Sequence, residues 1–381
     1  MSARARRKEP TMLMTGLSGN EIYCLAQKGW APGSIVVGNS VYSLGLVGGI
    51  MSGLRSFAGG EVANVTQMVS EGRHAALKRM EGEAERQGAH GVTGVGSDLK
   101  QLGNMMEFLA IGSAVKGAEY RGPFFTTACS GQDLFCQMDA GFEPRHFVIG
   151  NVAYALGVGR GISGTFKSMA GGEVKDFSDM YNHTRHLALE RLEAEARALG
   201  ANAVVDVMTH VLPLGQGMPT KEMLMVGTAS YHAALGNPAR PVTSELTGEE
   251  LWNLVKLGYM PMRLLMGTSV YSLGISGGIW AFFSGLGKGE VSNMTKIIYD
   301  ARENALAHIH KEANEIGADA VVGIKLYVNE IGGFVEVLAI GTAIKRHPGA
   351  TTQSEQIPPQ AVIRDRNTFF DAHLGSLNTS H

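Results

Sequence analysis

The chain has 381 residues, 44% hydrophobic and 18% charged, which is enough apolar material for two or three domains with real cores. Lysine and arginine number 33 against 35 aspartate and glutamate, a net charge of −2. That balance lacks the basic face that phosphates require, so no nucleic-acid partner is expected.

Three cysteines, Cys24, Cys129 and Cys136, are too few and too odd a set for a disulfide framework. They suit a reducing cytosol, so a cytoplasmic location is expected. Residues 1–11 are basic, lack the apolar core of a signal peptide and read as a disordered N-terminus. A short helix follows in "SGNEIYCLAQKG", with Ser18 and Glu21 at capping-box spacing and Gly29 ending it. The first long strand is "IVVGNSVYSLG" (35–45), and a glycine-rich connection leads on to "GGEV" (59–62). A long helix is expected from about residue 63 to 87, with Val65, Val69, Ala76, Met80 and Ala84 forming one apolar stripe. Gly88 stops it. Two strands then pair as a hairpin, the second containing "FLAIGSAV" (108–115). There Ala110, Gly112 and Ala114 alternate on one face, where small side chains let a helix or a neighbouring strand come close.

The series then repeats. The octet "GNSVYSLG" (38–45) returns as "GNVAYALG" (150–157) and "GTSVYSLG" (267–274), 112 and 117 residues further on. Pro32, Pro144 and Pro261 keep the same offset from it, as do Glu61, Glu173 and Glu290, and Arg73, Arg185 and Arg302. The later short helices carry Ser130/Asp133 and Thr247/Glu250 at capping-box spacing, and Gly227 and Gly341 match Gly112. A domain-sized unit has been duplicated in tandem. The modules are 12–120, 121–237 and 238–346, and the polar segment 347–381 reads as a disordered tail. The fold class is α+β: three tandem β-α-β-β modules, each preceded by a short helix. Residues 264–287 carry no charge over a length that could span a membrane, but they are dense in Gly and Ser. Their counterparts carry Arg55, Arg160 and Lys167, so no membrane partner is expected.

The modules resemble the YbjQ-like family, which carries a heavy-metal-binding label. The resemblance rests on the Gly-Gly-Glu-Val turns (59–62, 171–174), the Arg-x-x-Ala-Leu segment (73–77), "GANAVV" (200–205) and "AIGTA" (339–343). It covers nearly all of the chain between 12 and 346. It implies a dodecin-like fold and closed rings, five-fold for single-module members, and no established activity. This chain departs by carrying three modules.

Candidate chemistry is sparse. His183 and His186 lie at i and i+3 on the second long helix and could face one divalent heavy metal; two further ligands are not apparent. No other cofactor is expected. "GRGISG" (159–164) matches a dinucleotide-binding pattern, but the strands after the helix form a hairpin rather than a βαβ unit. No Ser, His and acid form a nucleophilic motif, so no catalytic residue is assigned. The ionic pattern is stronger. Arg73, Arg185 and Arg302 project onto or beside the apolar stripe, where a charge is costly unless paired. Each is expected to pair with one of two recurring acids, Glu61/Glu173/Glu290 or Glu107/Glu222/Glu336. Tyr42, Tyr154 and Tyr271 read as packing residues with a hydroxyl at an interface. The expected partner is the chain itself. It would form a pentamer of chains giving three stacked rings, or a dimer closing a ring of six modules.

Overall fold

The computed structural model describes residues 12–43, 60–155, 172–214, 220–272, 292–331 and 334–357. Glu290, the 159–164 motif and residues 273–287 of the uncharged stretch lie outside the described residues. So do 1–11 and 358–381.

The first module contains α1 (Gly19–Ala26), β1 (Trp30–Ser43), β2 (Gly60–Glu61), α2 (Ala63–Arg86), β3 (Gly91–Leu102) and β4 (Met105–Gly117). The second contains β5 (Phe125–Thr126), α3 (Gly131–Asp139), β6 (Glu143–Ala155), β7 (Gly172–Glu173), α4 (Lys175–Ala198), β8 (Ala203–Pro213) and β9 (Thr220–Tyr231). The third contains β10 (Val242–Thr243), α5 (Gly248–Lys256), β11 (Tyr259–Ser272), α6 (Ser292–Glu315), β12 (Ala320–Ile331) and β13 (Phe334–Arg346). The two-residue strands were not foreseen in the sequence. Within each module the long strands order themselves with the last in the centre, as in β1-β4-β3, all antiparallel.

The first six residues of the repeated octet lie in β1, β6 and β11, and its first glycine has one steric reason. A Cβ on Gly38 would lie 2.1 Å from the Ala76 carbonyl oxygen of α2. On Gly150 it would lie 2.0 Å from Ala188 O, and on Gly267 2.1 Å from Ala305 O. The long helix thus rests its backbone directly on the strand. The expected approach at the last strand is different in kind. Gly112, Gly227 and Gly341 make room for the Cγ1 atoms of Val92, Val204 and Val321 on the neighbouring strand, not for a helix.

The sheets are not confined to their own modules. The short strand β2 pairs with β6 of the second module, and β7 with β11 of the third. In return β5 pairs in parallel with β3, and β10 with β8. The cores follow the same rule. Val65, Val69 and Ala76 of α2 share one cluster with Phe147, Ile149 and Val226 of the second sheet. Leu189 and Leu192 of α4 share another with Leu264, Met266 and Ile340 of the third. The long helices of the first and second modules are therefore each sandwiched between their own sheet and the next.

The sequence assigns 347 onward to a disordered tail, but 347–357 is held. The Gln353 N–H donates to the Asp139 carbonyl (2.9 Å), and Ser354 Oγ donates to Asp139 Oδ1 (2.7 Å). Ala350 and Ile357 pack against the cluster around Trp252 and Val255. Among the described residues no helix is long and apolar enough to cross a membrane.

Gly150→Ala should therefore destabilise the chain by about 3 kcal/mol in urea unfolding, because the obstacle is helix backbone. Gly227→Ala should cost less, because the obstacle there is a valine side chain.

Candidate functional site

The chemistry-bearing residues gather where one module meets the next. The apolar stripe of α2 leaves Arg73 fully buried. Its guanidinium forks onto Glu222 of the second module, Nη2 to Oε2 at 2.6 Å and Nε to Oε1 at 3.1 Å. Nη1 donates to the Ser97 carbonyl at 2.8 Å. Asn151 Nδ2 bridges Glu222 Oε1 and the Thr66 carbonyl, each at 3.3 Å. The second junction repeats the plan. Arg185 donates to Glu336 and to Thr268 Oγ1 of the third module. Asn329 Nδ2 also donates to Glu336, at 3.1 Å. The expected pairing thus occurs for two arginines, with the acids of the last strand, and it crosses from each module to the following one. Arg302 has no ion-pair partner among the described residues and is exposed. Its complement Glu107 sits at the opposite end of the chain, accepting from Asn39 Nδ2 at 3.3 Å.

The other acids fasten the short strands. Glu61 pairs with Arg191 of α4 at 2.8 Å. Glu173 accepts from Ser178 (3.1 Å), Ser269 (3.2 Å) and Asn304 (3.4 Å). Asn304 also donates to the Tyr271 hydroxyl at 2.7 Å. Tyr154 is buried edge-on against Tyr181, and burial raises its hydroxyl pKa. Tyr42 packs edge-on against Phe108.

The short helices form a relay of caps. Ser18/Glu21 and Thr247/Glu250 make complete capping boxes. Beyond that, Glu21 Oε1 accepts the Gly131 N–H at 2.9 Å, and Asp133 Oδ1 accepts the Gly248 N–H at 2.9 Å. The starts of α3 and α5 are thus each completed by an acid from the preceding module.

His183 is exposed. His186 does not turn to it: Nδ1 faces the Asn182 carbonyl at 2.8 Å, and Nε2 faces Glu312 of the third module at 3.7 Å. His74 faces Glu195 at 3.0 Å in the same way. The facing carboxylate, first of all, raises the pKa of both histidines. Among the described residues no group of three or more His, Cys, Asp or Glu could hold a metal ion. Cys24, Cys129 and Cys136 are buried free thiols. The sequence reading missed the histidine–glutamate pairs. Their signal was present, because Glu83, Glu195 and Glu312 share one position on the long helix.

The family model described as "Putative heavy-metal-binding" matches residues 31–118, 142–232 and 260–347. The chain belongs to the YbjQ family. It is 30% identical over 236 residues to "Encapsulin nanocompartment protein Rv1762c" of Mycobacterium tuberculosis, covering 59% of this chain and 88% of the relative. It is 40% identical over 87 residues to a UPF0145 protein of Sulfurisphaera tokodaii, covering 23% of this chain and 75% of that one. A UPF0145 protein of Thermoplasma acidophilum is 43% identical over 79 residues, 20% of this chain and 66% of its own. YbjQ relatives of one module therefore match single modules of this three-module chain.

Glu222→Ala strands a buried arginine and should destabilise the chain by about 3–5 kcal/mol in urea unfolding, whereas Arg302→Ala, which strands no charge within the chain, should cost clearly less. The raised histidines fix a pH dependence. Their contribution is complete below the unfolded value of about 6.5 and is lost as pH rises through the higher folded value. Thermal stability should fall as pH rises from 6 to 8, less so in the double variant His74→Asn, His186→Asn.

Proposed function

We propose that this chain is a self-assembling ring protein, built of dodecin-like modules, in which two copies close a ring of six. The observation that carries the reading is a difference in exposure. Ile35, Val37 and Val41 on the outer face of β1 are 37%, 42% and 50% exposed. Their counterparts Phe147, Ile149 and Ala153 are at most 4% exposed, and Leu264, Met266 and Val270 at most 2%, beneath the preceding module's helix. Among the described residues no helix covers this face of the first sheet.

The third module offers what is missing. Arg302 is the counterpart of Arg73 and Arg185, and Glu107 and Asn39 are the counterparts of Glu222 and Asn151. Strands β3 and β8 each take a parallel two-residue partner, while β12 has none among the described residues. The segment that would supply one contains Leu13 and Met14, 48% and 68% exposed. A Cβ on Gly131 or Gly248 would strike the preceding helix, but one on Gly19 meets nothing within 4 Å. Glu250 is positioned by sequence to cap it. A contact between unlike surfaces closes a ring or propagates a filament. Consecutive modules of one chain sit side by side, which supports rings containing multiples of three modules and speaks for the dimer over three stacked pentamers.

One of the positions that differ between the repeats changes the charge at the closing contact. Where the internal junctions have His74 or His186 facing glutamate, the third module has Glu303, which would face Glu83. Two carboxylates make this contact weaker than the internal ones. The mycobacterial relative's name makes an encapsulin shell the first outside partner to test, by co-purification.

In sedimentation velocity, the parent chain should run as a dimer. Arg302→Glu and Val37→Asp should give single chains with unchanged circular dichroism. Glu303→His should tighten the dimer about fivefold. Dimers indifferent to all three substitutions would remove the proposed contact.

A further inference from the structure

A cleft of about 450 Å³ opens between the first and second modules, with Lys28, Trp30, Tyr120, Phe125, Phe142 and Arg145 in its lining. That volume suits a small organic molecule. Its walls are preformed. Trp30 stacks within 4.9 Å of Tyr120 and 5.4 Å of Phe125, centroid to centroid. The Tyr120 hydroxyl is tied to the Pro123 carbonyl at 2.7 Å. Phe125 and Phe142 are fully buried and fixed by packing.

The charges at this cleft have no counterpart at the next junction. In the repeat, Lys28 corresponds to Ala140, Glu143 to Met260 and Arg145 to Met262. Methionine satisfies the structural need there, so the junction fold does not require charge at these places. The two cations differ in how far they are occupied. Lys28 Nζ is held by Asp139 Oδ1 at 2.6 Å and Gln353 Oε1 at 2.9 Å. The Arg145 guanidinium lies over the Tyr231 ring, 5.7 Å from its centroid. Its Nη2 donates to Glu143 at 3.3 Å, but the Glu143 side chain is 69% exposed and mostly hydrated. A planar donor fork beside aromatic walls, loosely paired, is suited to a carboxylate on a flat ring.

We propose that this cleft binds a small planar aromatic molecule bearing a carboxylate, its ring against Tyr120 and its carboxylate accepting from Arg145. The cleft lies within one chain, so this site does not depend on ring closure. Isothermal titration of the full chain with indole-3-acetate, indole and tryptamine tests it. Indole-3-acetate should bind best. Arg145→Gln should weaken it by about tenfold or more while leaving indole unchanged. Glu143→Gln should strengthen it by about threefold, a gain that misfolding cannot imitate. Absence of binding by all three probes, preference for tryptamine, or indifference of indole-3-acetate to both substitutions would overturn the assignment.

Discussion

Arg73 and Arg185 are charges held out of water, and each is satisfied by a carboxylate in the following module. A lone buried charge costs more than a small domain can bear. Within this chain the first and second modules therefore complete their cores only against the next one. The fork onto Glu222 also fixes geometry. Asn151 and Ser97 engage further donors and acceptors of the pair, so one register of helix on sheet serves these contacts together. The aromatic cleft and the histidine–glutamate pairs lie at the same junctions, in geometry that this register sets.

Small modules explain why the device is needed. A unit of this size buries a larger share of its surface when it packs against a neighbour. The chain answers by laying its first two long helices between two sheets and by exchanging short strands across both internal junctions. Gly38, Gly150 and Gly267 make this possible, since they let the helix backbone touch its own sheet while its outer face receives the next. The capping relay from Glu21 to Gly131 and from Asp133 to Gly248 ties the short helices along the same direction. Every one of these contacts is directional, so a row of modules has two unlike ends.

Much of this was legible in the sequence. The repeat, the three long helices, the octet strands and the arginine–glutamate pairing all follow from periodicity and from the cost of a buried charge. The direction of pairing was not legible. Spacing within identical repeats cannot distinguish a module's own Glu107 from the next module's Glu222. The alternation of Ala110, Gly112 and Ala114 marks a face but not what covers it, so the helix contact at Gly38 escaped notice. His186 was read as a metal ligand because its acid, Glu312, is far along the chain. The segment 347–357 looks like polar tail because its anchor, Asp139, is buried only once Lys28 and Trp252 converge on it.

The central claim is that the free ends of one chain meet the free ends of another. Native mass spectrometry of the full chain at micromolar concentration tests it most directly. The account predicts one closed species at twice the 40.5 kDa chain mass. A single chain, or five chains, as the dominant species would contradict it.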